Sequence, residues 1–250
     1  PRLEVKGAAL ATLISRVVEF AAMAVYAGGN RRFRLRLSCL IRPGREIVRK
    51  FIHYSGPVVF NEGMWGLGTS LYKVIMGHME GSTEILAARA LAGNIEDICL
   101  VAIFAMAGTT GITVGREIGS GRDSGTVYQV GAAMDTLALF CGLGIGLVLL
   151  AATRLFLAPV VYPLFRLSEN AAGIATMMLT FTAAAMPLRA FNTTNTVGVL
   201  RGGGDVRAAM LIDILPLWCV ALPLAALFGL GLRWGIFWVY VGIMAEQFVK

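Results

Sequence analysis

The chain has 250 residues, 57% of them hydrophobic and only 15% charged, with a mean hydropathy of +0.72. A soluble domain carries roughly 25% charge and less than half apolar residues, so composition excludes a water-soluble enzyme and indicates a polytopic bundle of transmembrane helices, an all-α protein. The net charge of +7 reads as a marker of membrane orientation, and no nucleic-acid partner is expected.

Seven apolar spans follow in chain order, at about Gly7–Ala27, Tyr54–Met76, Ile85–Gly115, Val130–Ala152, Ala171–Leu200, Ala208–Leu230 and Trp234–Val249. The connections carry breakers: GHMEGSTE, GSGRDSG, APVVYPLFRLSEN, RGGGD and GLGLRWG. Between the first two spans, Gly28–Lys50 is Arg-rich, and RRFRLRLS alternates basic and apolar residues like an extended strand. That linker reads as a connection held at the cytoplasmic face, with a lipid-headgroup or RNA contact as the other reading. The Arg-rich connections (the linker, GSGRDSG and RGGGD) fall on one side, which the positive-inside rule makes cytoplasmic. No signal peptide is visible, and the chain opens on Pro1 and closes on Lys250 directly after an apolar run, as expected for an internal piece of a longer protein.

The second span carries Asn61, Glu62, Trp65, Thr69 and Lys73. Glu62, Gly66, Thr69 and Lys73 share one helical face, bordered by Trp65. A charge at the bilayer centre costs about 2.5–3.5 kcal/mol even on the lenient insertion scale, and such groups usually line an ion or substrate path. Glu62 is therefore the candidate cation-coupling residue, and a structural carboxylate paired with a basic residue is the alternative. On the third span Arg89, Glu96 and Asp97 read as a charge network or an ion site, with Arg89 and Glu96 seven residues apart on one face. The fifth span offers Arg189, Asn192, Thr193 and Thr196 as a polar stripe, with Asn195 beside it. A buried carboxylate, Glu62 or Glu96, is the natural partner for Arg189. Asp135 and Asp213 lie near the starts of their spans and read as anions placed by the helix dipole.

GVLRGGGD lacks the strand and the GK[ST] ending of a phosphate loop and reads as a tight turn. Gly142, Gly144 and Gly146 read as close-packing positions. Four cysteines without CxxC spacing and two separated histidines predict neither a metal site nor another cofactor. No HExxH, paired catalytic aspartates or Ser–His arrangement predicts an enzyme.

Four segments resemble the multidrug and toxic compound extrusion (MATE) family: GAALATLISRVVEF, PVVFNEGMWGLG, TVGREIGSGR and NTVGVLRGGGD. The resemblance implies twelve helices in two pseudo-symmetric lobes. On it, residues 1–28 are the last helix of the N-terminal lobe, 29–52 the basic interlobe linker and 53–250 a six-helix C-terminal lobe, with the N-terminal lobe a missing partner. It further implies a multi-pass protein of the plasma membrane, surrounded by lipid, that exports cationic, often aromatic small molecules in exchange for H⁺ or Na⁺ by rocking of the lobes. Glu62 matches the family's seventh-helix glutamate. Asn61, Trp65, Thr69, Arg189, Asn192 and Asn195 are the candidates for the substrate cavity. Some members carry a further carboxylate on helix ten, eleven residues before the arginine of the LRG motif; that position here is Ala190. A lipid-linked oligosaccharide flippase and a non-transporting membrane scaffold are the alternatives.

Overall fold

The computed structural model describes residues 4–29 and 44–250, all of whose regular structure is helical. Residues 31–38, read from the sequence as an extended strand, lie outside the described residues, as does Cys39. The chain divides into two compact units, Pro1–His53 and Tyr54–Lys250. The first unit holds helix α1, Glu4–Gly29, most of whose described side chains are exposed and which carries an Arg16–Glu19 ion pair at 2.6 Å.

The second unit begins within α2, Arg45–Gly77, and continues with α3, Ser82–Gly119, α4, Ser124–Leu164, α5, Glu169–Leu200, α6, Val206–Gly231, and α7, Ile236–Val249. Helix α2 starts nine residues before the expected Tyr54, so part of the segment read as linker is helical. Helices α1 and α3 to α6 are long and apolar enough to cross a membrane, by length and composition; α2, diluted by its polar residues, and the short α7 fall outside that group. Helix α4 also overruns its expected end. It passes through a π-helical segment, Thr153–Val161, that absorbs Pro159 by shifting the carbonyl partners, so the expected connection at APVVYPL is helix.

Connections are short and chemically specified. In the RGGGD turn, Asp205 N–H donates to the Leu200 carbonyl (2.9 Å) and Gly204 N–H to that of Arg201 (3.1 Å), a Schellman closure. Gly204 sits at φ 91°, where a side chain would be strained. Asp205 then caps α6, its carboxylate accepting from Ala208 N–H at 3.1 Å. One sharp turn thus ends α5 and starts α6, fixing Arg201 one turn from the reversal.

Asp123 caps α4 in the same manner, accepting from the Thr126 hydroxyl (2.6 Å) and backbone amide (3.1 Å). These bonds, the hydroxyl's first, hold the Asp123 carboxyl below the usual carboxylate range. A depressed folded value means the cap is at full strength above the ordinary range and weakens as pH falls through it. Amide exchange in the first turn of α4 is therefore expected to speed up in acid, and at neutral pH in Asp123→Ala; equal protection in both proteins would refute the cap.

Two apolar clusters hold the second unit together. Ile85, Leu100, Ile103, Leu149, Met178, Leu179, Met186 and Tyr240 join α3, α4, α5 and α7. Tyr72, Ile75, Leu217, Leu222 and Val239 join α2, α6 and α7. The outward positions are also apolar: Val101, Ile112, Val148 and Leu155 are each at least 69% exposed. Lipid is as apolar as these side chains, so association inside the membrane rests on close packing and hydrogen bonds.

The close packing is glycine-made. A Cβ on Gly142 would sit 2.6 Å from the Cβ of Ala190, and one on Gly146 only 2.4 Å from the Ala183 carbonyl oxygen, so α4 and α5 touch backbone to backbone. Gly198 and Gly202 likewise press on Ala107, Thr110 and Gly111 of α3. Gly144 has open space, correcting its assignment as a packing position.

Candidate functional site

Helix α2 reaches its neighbours through polar side chains. Asn61, almost fully buried, donates from Nδ2 to Asp213 Oδ2 of α6 at 3.1 Å. Glu62, one residue on, accepts from Arg201 Nη1 at 3.0 Å. Arg201 also donates from Nη2 to Asp213 Oδ2 at 3.4 Å, and Lys250 Nζ lies 3.1 Å from Asp213 Oδ1 and 2.7 Å from Glu246 Oε1. A single network therefore links α2, the end of α5, α6 and α7. It contains three carboxylates, Glu62, Asp213 and Glu246, and two cations, Arg201 and Lys250, so it is one positive charge short of neutral. The Glu62 side chain remains 58% exposed, while Arg201, Asp213, Lys250 and Glu246 are nearly buried. The open member of the network is the carboxylate.

Arg201, Asp213 and Lys250 escaped the sequence reading. Arg201 read as a marker of the inner face and Asp213 as an anion placed by the helix dipole; the structure adds a direct ion pairing between the two. The available signal was the LRGGGD turn, which holds Arg201 and Asp213 on consecutive antiparallel helices.

A second network lies deeper in the bundle. Glu96, 6% exposed, accepts from Arg89 Nη1 at 2.8 Å on one oxygen and from Arg189 Nη1 on the other. Two guanidiniums on one carboxylate leave this group one charge positive. Arg189 is thus joined to Glu96, and Asp97 takes no direct ion pair among the described residues. The two networks carry opposite signs.

The remaining cavity candidates fall in different places. Asn192 is buried and donates to the Gln247 carbonyl (2.9 Å) and side-chain oxygen (3.3 Å), tying α5 to α7. Thr69 donates back to the Gly66 carbonyl at 3.0 Å, Trp65 is 44% exposed, and Asn195 is half-buried. The expected stripe on α5 is therefore divided: Arg189 serves α3, Asn192 serves α7, and Thr196 bonds the Asn192 carbonyl within its own helix. A cavity of about 610 Å³ lies at the other end of the unit, beside His78, Glu80, Glu84, Arg233 and Trp234, and includes no member of either network.

The MatE family model matches residues 57–227, more than half of the chain and every residue of the two networks except Glu246 and Lys250. The chain belongs to the MATE family. Over its full length it is 25% identical to "Uncharacterized transporter YisQ" of Bacillus subtilis (strain 168), of which it covers 53%. It is 21% identical over 246 residues to "Probable multidrug resistance protein NorM" of Thermotoga maritima, covering 98% of this chain and 51% of that one. The fold matches solved MATE structures: one described as "MATE in complex with MaL6" with a TM-score of 0.78 and 23% identity, over 98% of this chain and 54% of that one, and "MATE transporter ClbM in complex with Rb+" with 0.75 and 21%, over 98% and 52%. The chain spans about half the length of the curated MATE relatives it matches. MATE proteins are integral, multi-pass membrane transporters, and the helical build and lipid-facing apolar surface described above suit that class.

Proposed function

We propose that this chain is the C-terminal portion of a cation-coupled MATE exporter of the plasma membrane, its last six helices working with an N-terminal lobe of the kind its relatives' length provides. The exported compounds are organic cations, and Glu62 is the residue at which H⁺ or Na⁺ exchanges against them. The observation that carries this reading is the charge balance of the Glu62 network: three carboxylates against two cations, with Glu62 the exposed one. One monovalent cation at Glu62 neutralises the group, and its departure restores the negative charge. Arg201 stands in for that cation meanwhile, bonding the carboxylate at 3.0 Å. An ion arriving at Glu62 frees Arg201 to lean fully on Asp213, so loading the site alters the bond between α2 and the α5–α6 turn. Rocking of the lobes would be driven by this alternation. The relatives described as "Probable multidrug resistance protein NorM" support drug export. No observation favours the flippase or the scaffold.

The test is efflux of a fluorescent aromatic cation from everted vesicles containing the two-lobe protein, under an imposed pH gradient and, separately, a Na⁺ gradient. Glu62→Gln keeps the shape and removes the charge, and it is expected to abolish gradient-driven export while the protein still inserts and folds. Undiminished export in Glu62→Gln would sink the assignment. The gradient that drives wild-type export names the ion.

A further inference from the structure

Asp135 does not fit the role its position suggests. Helix α4 starts at Ser124, six residues before the expected Val130, so Asp135 lies about three turns, ~17 Å, inside the helix. The N-terminal dipole has faded there. The residue is 8% exposed, and its Oδ1 is fully buried with no hydrogen-bond partner among the described residues. No guanidinium or ammonium pairs with it among those residues either.

A second orphan lies on the facing helix. Thr194 is 0% exposed, and its Oγ1 has no partner. Other helical threonines behave differently: Thr110, Thr136, Thr153 and Thr196 each donate to the carbonyl four residues back. Thr194 opens the π-helical segment Thr194–Leu200, a local widening of the kind that recurs at functional positions.

Helix register brings the two to one level. Gly131 of α4 meets Val199 of α5 at 3.4 Å, and Gly142 meets Ala190 at 2.6 Å, so the helices run antiparallel and Asp135 comes level with residues 194–196. Asp135 shares the buried face of Gly131, Ala138 and Gly142. Helix α3 closes the third side with Ile103, Ala107 and Thr110, all buried. None of the residues that α3 and α5 bring to this level is ionisable. The nearest charges on α5, Arg189 and Arg201, are engaged by Glu96 and by Glu62 and Asp213; on α3 the flanking groups are Glu96 and Asp97 on one side, Arg116 and Glu117 on the other. Helix α4 itself has no second acid or base between Asp123 and Arg154 apart from Tyr128 and Cys141.

A carboxylate enclosed without a counter-charge is stable only when it carries a cation. We propose that Asp135 is a second proton-binding group of the lobe, separate from Glu62, and that its carboxyl, which shares no hydrogen bond with Thr194 in this structure, turns on protonation to donate to Thr194 Oγ1. A proton suits the site because one acid facing one hydroxyl meets the needs of an O–H donor, whereas an alkali ion asks for a fuller oxygen shell. The assignment stands whether or not Glu62 couples transport, and its readout does not use transport.

Infrared difference spectra of the purified full-length transporter, taken between mildly acidic and mildly alkaline medium in the Glu62→Gln background, test it. A protonated-carboxyl C=O band is expected on acidification. It should be lost completely in Asp135→Asn and displaced in Thr194→Val, where the acid loses its acceptor. Should Asp135→Asn not accumulate, Thr194→Val keeps the carboxyl and decides alone. A band unchanged in the variants, or no band at all, overturns the proposal. A carboxylate band that responds to Na⁺ at constant pH also overturns it and assigns an alkali ion instead.

Discussion

Glu96→Ala is expected to lower the stability of the lobe by about 3–5 kcal/mol, the largest effect of any single polar substitution described above. Removing the carboxylate leaves the Arg89 and Arg189 guanidiniums near each other in a nearly buried site, with no other ion pair to either among the described residues. The cost is that of two uncompensated charges, and lipid outside the bundle offers neither of them relief. Glu96→Gln is expected to recover part of the loss, since it retains an acceptor but not the charge. Replacing all three residues together with apolar residues of similar volume is expected to come close to wild type, because the desolvation of the whole group disappears with it. Thermal unfolding in detergent, followed by intrinsic fluorescence, reads all three variants. An alanine variant as stable as the wild type would show that the triad is not a stabilising unit.

Gly146→Ala is the second large effect, a loss of about 1–3 kcal/mol from overpacking. The added methyl would lie 2.4 Å from the Ala183 carbonyl oxygen, a backbone atom that cannot swing aside. Gly142→Ala faces the same obstacle at the Met186 carbonyl, 2.7 Å away. Gly144→Ala, two residues from each and in open space, is expected to be neutral or slightly stabilising, since alanine is the better helix former. The same unfolding assay compares them; equal gains at all three positions would mean that helix propensity rather than the α4–α5 contact governs this segment.

Much of this architecture can be read from the chain, because apolar runs and Gly-rich breakers are local signals. The intrahelical Arg89–Glu96 bond follows from a spacing of seven, which two helical turns bring onto one face. What stayed hidden depends on partners far apart in sequence. Asp213 gathers Asn61, Arg201 and Lys250 from three other segments, and nothing near it in the sequence announces them. The early start of α4 had a visible cause, the Asp123 cap with Thr126 three residues on, but the surrounding glycines masked it. The π-helical segments leave no mark in hydropathy, so nothing in the sequence set Thr194 apart from the polar stripe around it. Asp135 was misread for a related reason: its depth follows from where the helix begins.

The glycine seams also have a mechanical consequence. With α4 fitted against α5 at Gly142 and Gly146, and α5 against α3 at Gly198 and Gly202, three helices meet almost without side-chain padding. Such a contact has little free volume to compress and resists sliding. Helix α6 carries Pro216 and Pro223 and two π-helical segments, Leu217–Ala221 and Leu227–Gly231, against one such segment each in α4 and α5, so its hydrogen-bond ladder is the looser. The lobe thus combines a stiff slab with a compliant strut, and any strain imposed on it is taken up first in the bending of α6.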